Sequence, residues 1–574
     1  MANQIAPNDN NVHVREAFAE GWQADEKCFR FQSCATPEGR TSISDGLFPA
    51  QLVVPIIFVP GIMGSNLKAK VDIRDGYNNV AIKSQTPIWR VDGTVSLAKE
   101  WINRKQDQYQ LRFQHDKVTV DDGGEIEVGD KTKRTPFAGL TETQARDLGW
   151  GTVSAAFYGG FLDWLDGQLN SHKRELKGGT WQDNSTLTSF KQTATHNPMG
   201  VVEGKPGKPL SPDDLDILLK TDNPVHAFGY NWLQSNLESG KALAKFIDKT
   251  IHFYADTGRT CDKVILVTHS MGGLVARAAC TVGGAGDKVA GVFHGVMPTD
   301  GAAATYKRMV SGFGGEPTHG LDGWIKDWIG SKALGPTGDY VTPALALNAG
   351  PLELLPNARY NAGKPWLRVV DDGGKVLTEL PKAGGDPYAE IYLEQDAWWR
   401  MLNEEWLNPA KLQAGNSFDD YGKAVGRAKR FHSTVQTAGD FHSVTHAHYG
   451  MDNGHRAYET ITWYLSKEVD AERNTRLQRE HLPNVEPLTG MDIYLREGDW
   501  GVHAKLSEPD AAGDGTVPAK ASAMTVDTAV KDGQVLARGT GYSHDGSFDL
   551  AGKSEGPYAA LQAIVRVLKR ELKA

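Results

Sequence analysis

Short apolar runs alternate with helix-spaced apolar positions along much of the chain. Lys263–Val267 is a β-branched run that predicts a buried strand, and Val225–Asn236 and Lys288–Thr299 predict further strands. Leu237–Tyr254 carries apolar residues at helical spacing, and the small and apolar residues after Met271 predict a second helix. Strand, helix, strand, helix is the pattern of a parallel sheet covered by helices, so the sequence predicts an α/β fold.

A serine lies in the turn between the predicted strand Lys263–Val267 and the helix that follows. The turn reads THSMG over residues 268–272. A sharp turn of this kind lifts the Oγ of Ser270 above the sheet, because small residues two positions away on either side let strand and helix approach closely. The helix N-terminus directs backbone N–H groups at a developing oxyanion. Thr268 stands where a glycine is usual, and an ordinary turn with an incidental serine is the alternative interpretation.

An acid and a base follow Ser270 in the chain order that such a nucleophile requires. Asp514 lies between two glycines in a predicted strand-end turn, and His544 lies in a glycine-rich loop 30 residues later. His544 would accept the proton of Ser270 as base and return it as acid, while Asp514 would orient the imidazole. Asp545 and Asp549 are rival acids, but both are too close in sequence to face the Nδ1 of His544 easily.

A glycine-rich loop follows the predicted strand in Ile56–Gly61. In folds with a serine on such a turn, the loop after an early strand supplies one oxyanion N–H, and the residue after the nucleophile supplies the other. We assign these donors to the backbones of Met63, or Ile62 if the register is one residue off, and Met271. A turn that merely ends a strand is the alternative.

The spacing of these features predicts the organisation of the chain. Residues 1–50 are polar and predict an irregular N-terminal extension, and 51–574 would form the core. The core would be interrupted by an insertion at 68–150 and by a cap at about 302–510, because Asp514 follows Ser270 by 244 residues. Two further helices are predicted at Phe157–Gln168 and Tyr558–Leu572.

Five tryptophans are concentrated in two helix-like segments of the predicted cap, Leu321–Ile329 and Asp396–Trp406. Exposed aromatic side chains on a mobile lid would suit a lipid interface. The alternative is that these tryptophans form the hydrophobic core of the cap itself.

A histidine cluster and a pair of cysteines raise the questions of a metal site and of a disulfide bond. On a helix, His442 and His446 would share a face and, with His448, could bind a metal, but such a cluster is more often structural, so no metal or cofactor is predicted. Cys28 and Cys34 could close a small loop, or could remain free thiols.

The net charge and the distribution of apolar residues limit the classes of partner and the cellular location that we expect. The net charge of −9 argues against nucleic acid as a partner, and no apolar run is long enough to span a membrane. The N-terminal residues lack the layout of a signal peptide. We therefore expect synthesis in the cytoplasm and, if the protein is exported, a route that does not read such a signal.

Five segments resemble one branch of the α/β-hydrolases. PIIFVPGIMGSNL, FGYNWLQSN, VTHSMGGLVAR, GPLELLPN and GDGTVP with a later histidine are similar to the lecithin:cholesterol acyltransferase-like and PGAP1-like lipases. The tryptophan-rich cap and the start of the chain further resemble the antibacterial lipase effectors of type VI secretion. The resemblance implies a mostly parallel sheet with helices on both faces, Ser270, Asp514 and His544 as triad, and Met63 and Met271 as oxyanion donors.

The resemblance also implies a function. A phospholipid or another acyl ester would be the substrate, and an effector would have an immunity protein and a secretion-apparatus carrier as partners, acting at the periplasmic membrane face of a target cell. A serine lipase or phospholipase is therefore the leading hypothesis. The alternatives are a lipid acyltransferase, which uses the same acyl-enzyme with a different acceptor, and a catalytically silent fold used for binding.

Overall fold

The computed structural model describes residues 16–23, 28–34, 44–48, 52–92, 104–128, 140–170, 174–177, 180–183, 210–313, 335–412, 415, 417–436, 441–474, 491–497, 499–539, 541–550 and 554–571. At its centre lies a sheet of six strands, and every neighbouring pair in it is parallel. The spatial order is β2–β1–β3–β4–β5–β6. The strands are β1 (Ile56–Val59), β2 (Val225–Ala227), β3 (Val264–His269), β4 (Val289–Gly295), β5 (Thr445–Gly450) and β6 (Leu536–Gly539).

Helices cover both faces of this sheet, as expected. Successive strand residues point to opposite faces, so Ile57 and Leu266 enter one hydrophobic cluster while Ile56 and Ile265 enter another. The fold is therefore of the α/β-hydrolase type, and the predicted fold class is confirmed. Helices α2 (Asn236–Ala255) and α3 (Gly272–Cys280) pack on the first face, and α1 (Ala155–Asn170) and α4 (Gly556–Glu571) pack on the second.

Strand β5 corrects two expectations. It lies inside the range 302–510 that the sequence assigned to the cap, yet it pairs with β4 on one side and β6 on the other. All six residues of its sequence THAHYG are buried, although several are polar. The sequence shows neither polar–apolar alternation nor a β-branched run, so the pattern did not predict this strand. The helix assumed for a metal site is absent here, since His446 and His448 are strand residues, and the Nδ1 of His446 accepts a hydrogen bond from the N–H of Val535 at 2.8 Å.

Five described strands of the 302–510 range form a second, mixed sheet. Trp463, in one strand of this sheet, and Trp366, next to another, are buried, and Trp398 packs edge-on against Trp463 with 5.4 Å between ring centroids. The tryptophans at 398 and 399 are therefore part of the hydrophobic core of the cap, whereas the segment Leu321–Ile329 lies outside the described residues. In spatial order the strands are Val376–Leu380, Leu367–Val370, Ile461–Leu465, Trp500–Leu506 and Asp492–Glu497.

The N-terminal range differs from the irregular extension that was expected, because it contains a three-stranded antiparallel sheet. Cys28 and Cys34 begin and end its middle strand. The strands are Glu16–Gln23, Cys28–Cys34 and Ser44–Phe48.

Smaller elements connect these units. The remaining strands are Leu52–Val53, Leu67–Ala69, Ile73–Arg74, Val80–Ile82, Pro87–Trp89, Val118–Val120, Arg174–Lys177, Thr180–Asp183, Thr221–Asp222, Asp452–Ala457 and Ala511–Gly513. The remaining α-helices are Gln106–Arg112, Glu142–Asp147, Ala304–Ser311, Gly338–Leu345, Ala349–Leu352 and Ser417–Val435. Short 3-10 helices lie at Trp150–Thr152, Pro212–Leu219, Gly286–Lys288, Tyr360–Gly363, Glu404–Trp406, Ala523–Thr528 and Asp545–Phe548, and a π-helical turn lies at Tyr388–Tyr392.

The packing of the cap predicts unequal roles for two adjacent aromatic residues. Trp463 is 0% exposed and its neighbour Tyr464 is 52% exposed, since they point to opposite faces of one strand. Trp463→Ala is expected to lower the free energy of unfolding by about 3–5 kcal/mol because it leaves a cavity. Tyr464→Ala, the matched control, should cost below about 1 kcal/mol. Guanidinium unfolding of both variants checks this, and equal losses would contradict the assignment of Trp463 to the core.

Candidate active site

Ser270 occupies the sharp turn between β3 and α3. Its φ angle is 51°, a left-handed conformation that a residue with a side chain adopts only under strain. The strain is held by close packing, because a Cβ on Gly272 would lie 2.3 Å from the carbonyl oxygen of Val59. The N–H of Ser270 donates to the carbonyl of Gly295 at 2.8 Å, which fixes the turn to β4.

The threonine that replaces the first glycine of the serine turn is accommodated by its neighbours. Thr268 is completely buried, and its hydroxyl donates to the carbonyl of Phe293 on β4 at 3.3 Å. The neighbouring strand is also tightly packed at Gly295, where a Cβ would lie 2.5 Å from the ring of Phe548 and 2.9 Å from the carbonyl oxygen of Thr268.

Ser270, His544 and Asp514 form one chain of hydrogen bonds. The Oγ of Ser270 lies 2.8 Å from the Nε2 of His544, and the Nδ1 of His544 lies 2.8 Å from the Oδ2 of Asp514. All three residues are buried, with at most 8% of any of them exposed. In this arrangement the imidazole can accept the serine proton while the carboxylate fixes its tautomer.

Tertiary structure brings Asp514 to the end of β5, although neighbouring residues belong to a different pair of strands. Ala511–Gly513 pairs antiparallel with Asp452–Ala457, which follows β5 directly. A Cβ on Gly450, the last residue of β5, would lie 2.7 Å from the Cβ of Asp514. The bond to the Nδ1 of His544 comes from Asp514 rather than from either rival, Asp545 or Asp549.

The opposite charges and the hydrogen bonds of His544 and Asp514 together shift the pKa of each group further than burial shifts it the other way. Burial works to lower the pKa of His544, but the carboxylate of Asp514 and its hydrogen bond raise that pKa above its ordinary value. Burial works to raise the pKa of Asp514, but His544 and the backbone N–H groups of Val517 and Thr516 hold that pKa below its ordinary value. The carboxylate of Asp514 is therefore ionised at any pH at which His544 is neutral.

These directions predict the acid side of the pH profile. His544 must be neutral to accept the proton of Ser270, so kcat/KM should rise with pH as His544 loses its proton. Because its pKa is raised, the midpoint should lie above the ordinary histidine value of about 6.5. Hydrolysis of a small soluble ester at varied pH measures the midpoint, with tryptophan fluorescence as the control for folding. A midpoint below the ordinary value would contradict the pairing.

The glycine-rich loop after β1 lies directly against the serine turn. A Cβ on Gly61 would lie 3.0 Å from the Cβ of Ser270. Met63 in this loop has a φ of 63°, and its carbonyl accepts a hydrogen bond from the indole N–H of Trp89 at 2.7 Å. Within the described residues, the N–H groups of Met63, of its alternative Ile62 and of Met271 donate to no acceptor. The loop therefore offers two candidate donors to an oxyanion, and the serine turn offers one.

Two residues that sequence reasoning did not assign connect the loops of this site. Tyr158, on α1, places its hydroxyl 2.8 Å from the Nδ1 of His269, the residue before Ser270. The Nε2 of His269 lies 3.2 Å from the carbonyl oxygen of His544. The position of His269 beside Ser270 was a signal in the sequence, but nothing in the pattern of α1 marked Tyr158.

Two other kinds of site are absent from the part of the chain that the structure describes. Over the described ranges, no group of three or more His, Cys, Asp or Glu side chains is arranged to hold a metal ion. The described helices include none that is both long and apolar enough to cross a bilayer.

The fold and the buried serine, histidine and aspartate place this chain among proteins with an α/β-hydrolase-type architecture. Residues 226–313 match the family model of the PGAP1-like alpha/beta domain. The crystal structure of the Tle4–Tli4 complex contains a similar chain, with a TM-score of 0.67 and 27% sequence identity over 90% of this chain and 98% of that one. The family resemblance predicted from the sequence is confirmed by these two matches. No curated protein sequence matches significantly.

Proposed function

We propose that the protein is a serine lipase that hydrolyses acyl ester bonds of membrane phospholipids. The observation that carries this proposal is the hydrogen-bonded chain from the Oγ of Ser270 through His544 to Asp514, built on a strained strand–helix turn. A buried serine gains nothing structural from a φ of 51°, whereas a nucleophile gains exposure of its Oγ to the substrate carbonyl.

Ser270, His544 and the two backbone N–H groups then each act at defined steps of the hydrolysis. The Nε2 of His544 accepts the Ser270 proton as Oγ attacks the ester carbonyl, and the N–H groups of Met63 and Met271 stabilise the oxyanion. His544 returns the proton to the leaving alcohol, a lysophospholipid, which leaves an acyl-enzyme. Water, activated by the same imidazole, attacks this ester and releases the fatty acid and free Ser270.

The biological setting is part of the proposal. The similarity to the Tle4 chain of the Tle4–Tli4 complex extends over nearly the whole of both chains, and it supports a lipase effector of type VI secretion. In that setting an immunity protein would bind this chain, a secretion-apparatus carrier would export it, and it would attack the periplasmic face of the target membrane. Growth inhibition when the chain is directed to the bacterial periplasm, but not when it stays in the cytoplasm, would support this setting.

A direct test uses vesicles of phosphatidylethanolamine and phosphatidylglycerol. The purified chain is expected to release fatty acid and lysophospholipid, both identified by mass. The matched control is the same protein after covalent blocking with a serine-directed fluorophosphonate. Hydrolysis of a small soluble ester without any release from vesicles would discard the membrane substrate. Transfer of the acyl group to an added alcohol in preference to water would favour the acyltransferase, and no reaction with any ester or fluorophosphonate would favour a silent fold.

A further inference from the structure

Three separate segments of the active site meet at one buried tyrosine–histidine pair. The hydroxyl oxygen of Tyr158 accepts a hydrogen bond from the N–H of Gly61 at 3.2 Å, in the loop that carries Met63. The same hydroxyl lies 2.8 Å from the Nδ1 of His269. The Nε2 of His269 lies 3.2 Å from the carbonyl oxygen of His544. The pair thus touches the oxyanion loop, the nucleophile turn and the loop of the base.

Only one proton arrangement satisfies all three contacts. The carbonyl oxygen of His544 can only accept, so the acceptor of a neutral His269 ring is Nδ1, and the O–H of Tyr158 donates to it while the Tyr158 oxygen accepts from the N–H of Gly61. The proton of the neutral imidazole is then on Nε2, which donates to the carbonyl of His544. A cationic His269 would point a second donor at Tyr158 and leave the tyrosine O–H without this acceptor. Burial, the largest effect, lowers the pKa of His269 to about 4, so the ring stays neutral.

We propose that Tyr158 and His269 are positioning residues that lock the oxyanion loop and the catalytic histidine loop to the nucleophile turn. The inference rests on the proposed function of Ser270 as nucleophile. Neither residue contacts Ser270 Oγ or the Nε2 of His544 by a hydrogen bond, so their effect is exerted through backbone placement. Gly61 lies two residues before Met63, and a shift of about 1 Å in such a loop can cost roughly 100-fold in rate.

The chain offers a matched control for the test. Tyr254 is a second buried tyrosine in the same domain, and its hydroxyl lies 2.9 Å from the Nε2 of buried His226. It lies on α2, and the bonds that hold Gly61, His269 and His544 do not involve it. Tyr158→Phe and Tyr254→Phe therefore remove the same group from comparable surroundings, and only the first faces the catalytic loops.

The readout is the rate at which a fluorophosphonate labels Ser270, which requires the nucleophile and oxyanion hole but no lipid. Tyr158→Phe is expected to slow labelling roughly 10- to 100-fold and to lower kcat for a soluble ester with KM little changed. Tyr254→Phe should stay within about twofold of the wild type. Equal labelling rates for Tyr158→Phe and the wild type would overturn the inference, as would equal slowing in both variants. Failure of the wild type to be labelled would instead overturn the proposed function.

A second set of variants tests whether the two residues act together. His269→Leu removes both ring nitrogens, whereas His269→Gln keeps one acceptor and one donor and is expected to recover part of the rate. Combining Tyr158→Phe with His269→Leu should slow labelling no more than the worse single variant, because both break one bridge. Rate losses that multiply in the double variant would refute a shared bridge. Thermal unfolding of each variant separates loss of folding from loss of positioning, and His269→Gln keeps the test open if Tyr158→Phe does not fold.

Discussion

Replacing Ser270 by alanine is expected to reduce ester hydrolysis roughly 10^4- to 10^6-fold while leaving the fold intact. Alanine keeps the Cβ, so the strained φ of 51° and the packing of the turn persist. Only the Oγ is lost, and with it the atom that would form the acyl-enzyme. The unfolding free energy should change by less than about 1 kcal/mol.

Ser239→Ala provides the control for this prediction. Ser239 is also completely buried, on α2, and its Oγ accepts a bond from Gln234 at 3.3 Å rather than from any triad residue. Its hydrolysis rate should match the wild type, measured on both vesicles and a soluble ester. If Ser270→Ala kept more than about one per cent of the wild-type rate, another nucleophile would have to be sought.

Asp514→Asn is expected to lower kcat/KM by roughly 10^4-fold, through the wrong imidazole tautomer. The Oδ1 of Asp514 accepts from the N–H groups of Thr516 and Val517 at 3.0 and 2.7 Å. In asparagine these two donors would hold the amide oxygen at the same place and turn the NH2 toward the Nδ1 of His544. That nitrogen would then accept, the proton would move to Nε2, and the imidazole could not take the Ser270 proton.

The rival acids supply the controls for the aspartate. Asp545 and Asp549 follow His544 in sequence, and neither is the partner of its Nδ1. Asp545→Asn and Asp549→Asn should each retain activity within about tenfold, measured as kcat/KM on a soluble ester. A severe loss in either of these, together with retained activity in Asp514→Asn, would reassign the acid.

Local sequence was sufficient wherever one continuous segment creates the feature. The β-branched run before Ser270 and the small residues after it specify strand, turn and helix without help from distant residues, so β3 and α3 followed from the pattern alone. The order of serine, aspartate and histidine and the glycine-rich loop after β1 led to the same four loops that the structure brings together. The small side chain of Thr268 predicts that the turn tolerates it, and the structure places Thr268 fully buried in β3.

Tertiary structure decided the features that depend on long-range packing. Strand β5 has no apolar pattern in its sequence. It is a strand because β4 and β6 pair with its backbone on either side, and neither partner is near it in the chain. The tryptophans near residue 398 fit a lid or a core equally well until Trp463 is placed against them. The bridge of Tyr158 and His269 joins residues 111 positions apart. The sequence by itself determined the turn that carries Ser270 and the chain order of serine, aspartate and histidine, since each of these is read from a short segment. The tertiary structure determined which residues bury and align the three side chains, since those contacts join residues far apart in the chain.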